Sequence, residues 1–583
     1  MSIFYQKKAH RRTIFLSFFL VFWLSGLIIR LVHLQVFEHP RLKAVVVKQN
    51  QDRNTIYPER GTIYDCKGNI LTRSLPVQSV FYRPSEDEPS HVQIEKINKL
   101  KKVLGLSENK LLEIKARIEK GDNFIWIKRK IGPEKEKKVR ELDLSGINFT
   151  KENKRFYPNG KLAAHLLGRV NIDNLGASGI ELEYNSILKG KEGEHLILED
   201  AKKREYRFEI LKEPVAGKDL ILTIDETIQY YAEKELERVV HKTGANWGTV
   251  IIAQPSTGEI LAMANYPSYD LNNPPPMPLI IDRNNAIHYN FEPGSTFKIV
   301  MASAVLETGK VNLYDTFDCS KGFISVAGKA IRDHHRFGIL TFPEVIIHSS
   351  NVGAIQIGRN IDKDIFIRAI KAFGFGQKTG IDLSAEEKGI FRPLDNWSRH
   401  STAYLSIGYE ISVTAIQMLQ AINIIANRGV VVTPRIVKKI LNSSDLPGKR
   451  PLHRRRILSE KIALTLASIL QQAVQEGTGR AAQIRGYKVA GKTGTAQKFE
   501  HSTGSYSSKA HTASFIGFVH ADNPVFSMVV VINDPKSQYY GGEVAAPVFR
   551  EIGSQVLRYL RIPKQEDSLK TIIADNRQRQ FER

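Results

Sequence analysis

Ser295 and Lys298 stand three residues apart, a spacing that lays both side chains on one face of a helix. A serine hydroxyl is a weak nucleophile until a base takes its proton, and a lysine one turn on is placed to do so. To act as base, Lys298 must spend time neutral, which burial and a second cation nearby favour. Lys492 is the candidate for that cation. Ser349 and Asn351 follow the apolar run 345–347 and read as a loop. A hydroxyl there can relay a proton to a departing amine, and an amide can hold a substrate peptide bond. Lys492-Thr493-Gly494-Thr495 continues a strand edge at 487–491, where Gly491 and Gly494 let a peptide approach the backbone. The Lys492 amine and the hydroxyls of Thr493 and Thr495 suit a terminal carboxylate. Backbone N–H groups of Ser295 and Thr495 would supply an oxyanion hole. The chemistry is acyl transfer through a serine ester.

No one of these motifs is decisive. Ser-x-x-Lys arises by chance about twice in a chain this long, and it recurs at Ser107/Lys110 and Ser186/Lys189, while Lys-Thr-Gly recurs at Lys242 and Lys378. Order and context separate the set from these decoys. Ser295 follows the turn-forming pair Pro293-Gly294 and opens an apolar stretch that reads as a buried helix. Ser107 reads as an ordinary N-cap before a lysine-rich amphipathic helix.

The elements that must position the set are legible in outline. A strand at 220–224, a helix at 226–236 and a hairpin of buried strands at 249–253 and 259–263 precede the serine. Helical segments fill the middle, and strands return at 513–519 and 526–532. Strands at both ends with helices between predict an α/β (α+β) fold, in which one antiparallel sheet is closed by the two ends of the domain and covered by helices. Upstream, residues 60–65 with Lys67-Gly68-Asn69 read as a hairpin, 94–142 as a lysine-rich helical stretch, and 176–193 as turns around one short helix. No catalytic set emerges there, so 37–216 is read as a pedestal for docking and spacing.

The chain has 583 residues, enough for several domains, and a formal net charge of +23. Its basic residues are spread over several regions without a zinc-finger, RNP or homeodomain pattern, so nucleic acid is not an expected partner. Anionic lipid and envelope polymers fit the charge better, as does a generally basic proteome with no partner behind it. Cys66 and Cys319 lie far apart with no Cys-x-x-Cys or Cys/His pattern, so neither a metal site nor a disulfide between them is expected. Residues 13–29 form an uninterrupted apolar run, extendable to about 36, which suits a membrane-crossing helix. No small-x-small cleavage site follows it. Lys7, Lys8, Arg11 and Arg12 before it put the N-terminus in the cytoplasm and the remainder outside. The expected organisation is a cytoplasmic segment at 1–12, an anchor at 13–36, the pedestal at 37–216, the catalytic domain at 217–562 and a loose tail at 563–583.

The chain resembles the class B penicillin-binding proteins, monofunctional D,D-transpeptidases of bacterial peptidoglycan, and in particular the division-specific FtsI type. The likeness is carried by the three motifs together with 60–65, 155–160, 179–181, 291–298, Gly408-Tyr409, 490–497, Tyr540-Gly541-Gly542 and 546–549. Cys66 is a departure, since the family usually has arginine there, which puts a pedestal salt bridge in doubt. The resemblance implies that Ser295 attacks the carbonyl between the terminal D-alanines of a stem peptide, and that an amine of a neighbouring stem resolves the acyl-enzyme into a cross-link. It implies β-lactams as trapping ligands and no cofactor. It also implies an FtsW-type glycosyltransferase and other divisome proteins as partners at the septal membrane. An elongation or sporulation paralogue is the alternative within the family. A β-lactamase is disfavoured because no Glu-x-x-Leu-Asn run positions a deacylating water. From a different class, the alternative is a β-lactam sensor or a non-catalytic division scaffold.

Overall fold

The computed structural model describes residues 2–39, 41, 51–85, 88–199, 205–275, 282–442, 454–500 and 504–564. Most of the expected tail, 565–583, lies outside them. Two compact units emerge, one of residues 1–58 with 191–216 and the other of 59–190 with 217–583.

In the first unit the apolar run forms part of the helix Ser2–Val32, which continues through a π-helical turn at His33–Phe37. Residues 10–37 are long and apolar enough to cross a membrane. The unit also holds a three-stranded antiparallel sheet with Gly193–Glu199 between Gln51–Ile56 and Glu205–Lys212.

The second unit is built on two larger sheets. The hairpin expected at 60–69 forms, with Ile63–Tyr64 returning as Ile70–Tyr82. Its turn is fixed by the Asp65 carboxylate, which accepts from the amides of Lys67 (2.9 Å) and Asn69 (2.8 Å), while Gly68 takes φ +92°. Ile63–Tyr64 pairs in parallel with Leu220–Leu222, which in turn pairs with Val437–Ile440. The stretch 94–142 is not wholly helical. Helices Ser90–Leu104, Glu108–Glu119 and Pro133–Glu141 flank a strand, Ile125–Ile131, whose Ile125, Ile127 and Ile131 are buried. This two-residue periodicity is masked in the sequence by the basic residues 128–130 between them. Ser107 is the expected N-cap, accepting from the Lys110 amide at 3.3 Å. Two short helices, Gly179–Glu183 and Asn185–Leu188, stand where one was expected.

The central sheet runs in the order Ile260–Tyr266, Trp247–Ala253, Phe526–Asn533, Ser505–Val519, Val489–Glu500, antiparallel throughout. Phe526–Asn533 is buried along its whole length because helices cover both faces, which accounts for its continuous apolar sequence. Alternation sorts its side chains into two cores. Val529 and Val531 join the core containing the fully buried helix Ala415–Ala426, and Met528, Val530 and Ile532 join the core containing Glu226–Thr243 and Gly541–Tyr559. Both cysteines are free. Cys66 carries no charge, and the ion pair at this junction is instead Lys67 with Asp225 at 3.1 Å.

Candidate active site

Ser295 lies in a 3-10 turn, Gly294–Phe297, that leads directly into the helix Lys298–Glu307. Pro293-Gly294 makes the turn as expected, with Gly294 at φ +55°. Two neighbours clamp it. A Cβ on Gly408 would lie 2.0 Å from the Gly294 carbonyl oxygen, and one on Gly494 would lie 2.9 Å from that of Pro293. Only glycines allow the turn to sit this close to the strand Val489–Glu500. Phe297 anchors the other side against Phe375, with ring centroids 5.1 Å apart. Ser295 is left half-buried, and its hydroxyl makes no hydrogen bond among the described residues.

Lys298, by contrast, is fully buried. Its Nζ lies within hydrogen-bond distance of four oxygens, the Ser349 carbonyl (2.7 Å), the Ser350 carbonyl (3.1 Å), Asn351 Oδ1 (2.9 Å) and the Ser349 hydroxyl (3.3 Å). Burial pushes its pKa down to about 7, against the charge of Asp333, which favours the ammonium. Lys492 is also fully buried and donates to the same Ser349 hydroxyl at 2.8 Å. Burial, and after it the charge of Lys298, holds Lys492 well below the ordinary lysine range. One hydroxyl thus bridges two amines that cannot both hold a proton cheaply.

The Ser349–Asn351 segment is only partly the loop expected. Val345–Ile347 ends the short helix Phe342–Ile347, Ser349 takes φ +60°, Ser350 is the N-cap, and Asn351 is the first residue of the helix Asn351–Arg359. The left-handed conformation of Ser349 turns its carbonyl and hydroxyl toward the same amine. For a serine it is an uncommon backbone geometry, held here by its surroundings.

Strand alternation places Lys492 on one face of its strand and Thr493 and Thr495 on the other. Lys492 turns to Ser349, whereas the Thr493 hydroxyl meets that of Thr478 (2.8 Å) and the Thr495 hydroxyl accepts from the Gly541 amide (2.9 Å). Gly494, between them, leaves room for Pro293 and Ser514. The structure therefore brings Lys298, Ser349, Asn351 and Lys492 into one hydrogen-bonded group. It sets the Ser295 turn against Gly494 and opens Thr493 and Thr495 to a second side.

Sequence reading missed Thr478, Cys319, Arg332 and Asp333, which contact these residues from other elements. Nothing local in the sequence marks them, because each contact bridges fifteen or more positions. A row of rings along the edge, His334 to Tyr540 (4.3 Å), Tyr540 to Tyr539 (4.4 Å) and Tyr539 to His511 (4.3 Å), was likewise unmarked apart from the Tyr540-Gly541-Gly542 motif.

The site therefore joins a buried lysine pair to a serine-bearing turn on an antiparallel sheet. The penicillin binding protein transpeptidase domain matches residues 248–554, and the penicillin-binding protein dimerisation domain matches residues 55–222. The chain belongs to the penicillin-binding protein transpeptidase family. It is 35% identical to stage V sporulation protein D of Bacillus subtilis, covering 90% of this chain and 82% of that one. It is 33% identical to the peptidoglycan D,D-transpeptidase FtsI of Escherichia coli K12, covering 88% and 85%. FtsI of Buchnera aphidicola is 31% identical over 98% of this chain and 99% of its own. Among solved structures, penicillin binding protein 3 of Mycobacterium tuberculosis complexed with aztreonam superposes with a TM-score of 0.67 at 26% identity, covering 88% of this chain and 98% of that one.

Proposed function

We propose that the protein is a membrane-anchored, serine-type D,D-transpeptidase that cross-links peptidoglycan stem peptides during septal wall synthesis. The observation that carries this reading is the Ser349 hydroxyl held between Lys298 and Lys492, next to the Ser295 turn. Ser295 Oγ attacks the carbonyl between the two terminal D-alanines, and Lys298 takes the hydroxyl proton. The C–N bond breaks, and the departing D-alanine amine receives a proton through Ser349, with Lys492 holding the hydroxyl in line. An amine of a second stem then attacks the ester. Its new C–N bond replaces the Ser295 C–O bond, and the serine regains its proton.

The N–H of Ser295, in the first turn of its helix, has no intrahelical acceptor and is free for the oxyanion, with the Thr495 N–H opposite. Thr493 and Thr495 receive the terminal carboxylate, and Asn351 receives the peptide amide. β-Lactams, which carry a carboxylate beside a strained amide, acylate the same serine. The apolar helix anchors the protein with its N-terminus in the cytoplasm, the pedestal spans 37–216, and the catalytic domain, 217–562, works outside the membrane with an FtsW-type glycosyltransferase and other divisome proteins.

A sporulation role is the second reading, favoured by the 35% identity to stage V sporulation protein D. Depletion in growing cells separates the two, since filaments without septa are expected for the division enzyme and normal division for the sporulation one.

Labelling of the purified protein with a fluorescent penicillin, followed by mass spectrometry of the modified peptide, tests the chemistry. A stable adduct on Ser295 that Ser295→Ala abolishes is expected. Rapid turnover without adduct would replace the reading with a β-lactamase, and no reaction at all would leave a scaffold.

A further inference from the structure

Asp333 lies outside the three motifs, yet it touches the second of them at three points. The Ser350 hydroxyl donates to Oδ2 at 2.7 Å, and the amides of Asn351 and Val352 (3.1 Å for the latter) both donate to Oδ1. These amides belong to the first turn of the helix Asn351–Arg359, where no intrahelical acceptor exists. Next to it, the Arg332 carbonyl accepts from Asn351 Nδ2 at 3.1 Å. That bond fixes the orientation of the amide and turns Oδ1 toward Lys298 at 2.9 Å. The hairpin Phe323–Val326/Lys329–Arg332 thus delivers two adjacent groups that hold the segment from outside.

We propose that Asp333 is a positioning residue for acylation of Ser295. It pins Ser350 and the Asn351 and Val352 amides so that the strained Ser349 presents its carbonyl and hydroxyl to Lys298. The proposal rests on the transpeptidase reading given above.

Two effects follow when the carboxylate is removed. The first is geometric. An asparagine at 333 offers one acceptor oxygen where three donors converge, so the Ser350 hydroxyl or the helix amides lose their partner and Ser349 is free to relax from φ +60°. The second is electrostatic. The groups facing Lys298 are Lys492 from the strand, Cys319 from the segment after Thr316–Asp318, and Asp333. Arg332, His334 and His335 adjoin Asp333 in sequence, with Glu543 near His334. Asp333 favours the protonated Lys298. Removing its charge makes the amine easier to deprotonate, so the acidic limb of acylation moves to lower pH. A merely structural role lowers the rate without moving the limb.

The test is the rate of Ser295 acylation by a fluorescent penicillin as a function of pH, in the full-length protein and in Asp333→Asn and Asp333→Glu. For Asp333→Asn the expected result is a fall of roughly 10- to 100-fold with the acidic limb displaced downward by about one pH unit. For Asp333→Glu a smaller fall with the limb in place is expected, because the charge stays and only its reach changes. Wild-type rates in Asp333→Asn, or a loss with an unmoved limb, would overturn the proposal. If Asp333→Asn does not fold, a wild-type rate in Asp333→Glu overturns the geometric half. Wild-type protein that fails to label at Ser295 refutes the transpeptidase reading instead, so the two failures are distinct.

Discussion

Lys492 Nζ and Lys298 Nζ reach one oxygen, the Ser349 hydroxyl, at 2.8 and 3.3 Å. Two amines sharing one hydroxyl in a buried space make a path for a single proton. If both were ammonium ions, the hydroxyl would accept from each and its own proton would have no acceptor between them. If one is neutral, the hydroxyl donates to it and accepts from the other, and reversing these roles moves a proton across the site. The oxygens around Lys298 outnumber the three donors of an ammonium and favour that form, whereas burial favours the neutral amine. The opposition keeps the group within reach of both states near neutral pH.

A definite pH dependence follows. In the proposed mechanism acylation needs neutral Lys298, whose pKa is pushed down to about 7, so the rate is expected to rise with pH through that value and to be flat above it. Below it the rate falls about tenfold per pH unit. An ordinary surface lysine as base would still be losing rate at pH 9. The labelling rate measured from pH 5 to 9.5 decides, and a limb near 10 would remove Lys298 from the role of base.

Glu292, three residues before Ser295, gives a stability prediction with the sign of a raised carboxyl. Burial pushes it up to about 7, although Tyr506 OH (3.0 Å) and the Glu410 amide (3.0 Å) both donate to Oε1, while Oε2 is buried without a partner. For an acid whose folded pKa exceeds its unfolded value, the stabilisation is complete below the unfolded value and lost as pH rises through the folded one. Glu292→Gln keeps the accepting oxygen and cannot ionise. Its melting temperature should match wild type at pH 4.5 and exceed it at pH 8.5, by an amount corresponding to about 1–3 kcal/mol. Parallel melting curves for the two proteins across that range would show that Glu292 ionises freely.

Much of this grouping of side chains could be read directly from the chain, because it is built from short motifs whose members are close in sequence. Ser295 and Lys298 are joined by one turn, and Lys492 to Thr495 by one strand. The same holds for the buried strand Phe526–Asn533, whose apolar run reports cover on both faces. What escaped depends on distant partners. Asp333 reaches Ser350 across seventeen positions through a hairpin that the sequence does not mark, and Asn351 read as loop because its cap, Ser350, is already part of the motif. In the pedestal the lysines around Ile125–Ile131 hid a strand in what reads as a helical stretch. Arg60, Arg155 and Glu181 were each visible as parts of separate family motifs. Their meeting at one point was not.

That meeting supplies the last prediction. Glu181 is fully buried and accepts from Arg60 Nε through Oε2 and from Arg155 Nε through Oε1, both at 2.6 Å. Arg60 also donates to the Glu181 carbonyl (2.8 Å), the Asn174 carbonyl (3.0 Å) and Asn185 Oδ1 (2.8 Å). One carboxylate therefore compensates two guanidinium ions withdrawn from water, and it ties the hairpin at 60–82 to the strand Ile147–Phe156 and the helix Gly179–Glu183. Taking two charges into the interior is tolerated only while the counter-ion remains. Glu181→Gln preserves shape and one acceptor but leaves both arginines uncompensated, so a loss of about 3–5 kcal/mol is expected. The exposed pair Lys101–Glu108 serves as control, since Glu108→Gln should cost about 0–1 kcal/mol. Urea denaturation of the two variants beside wild type separates the cases. Equal midpoints for Glu181→Gln and Glu108→Gln would mean that the buried triad contributes no more than a surface pair, and that the three motifs meet for a reason other than stability.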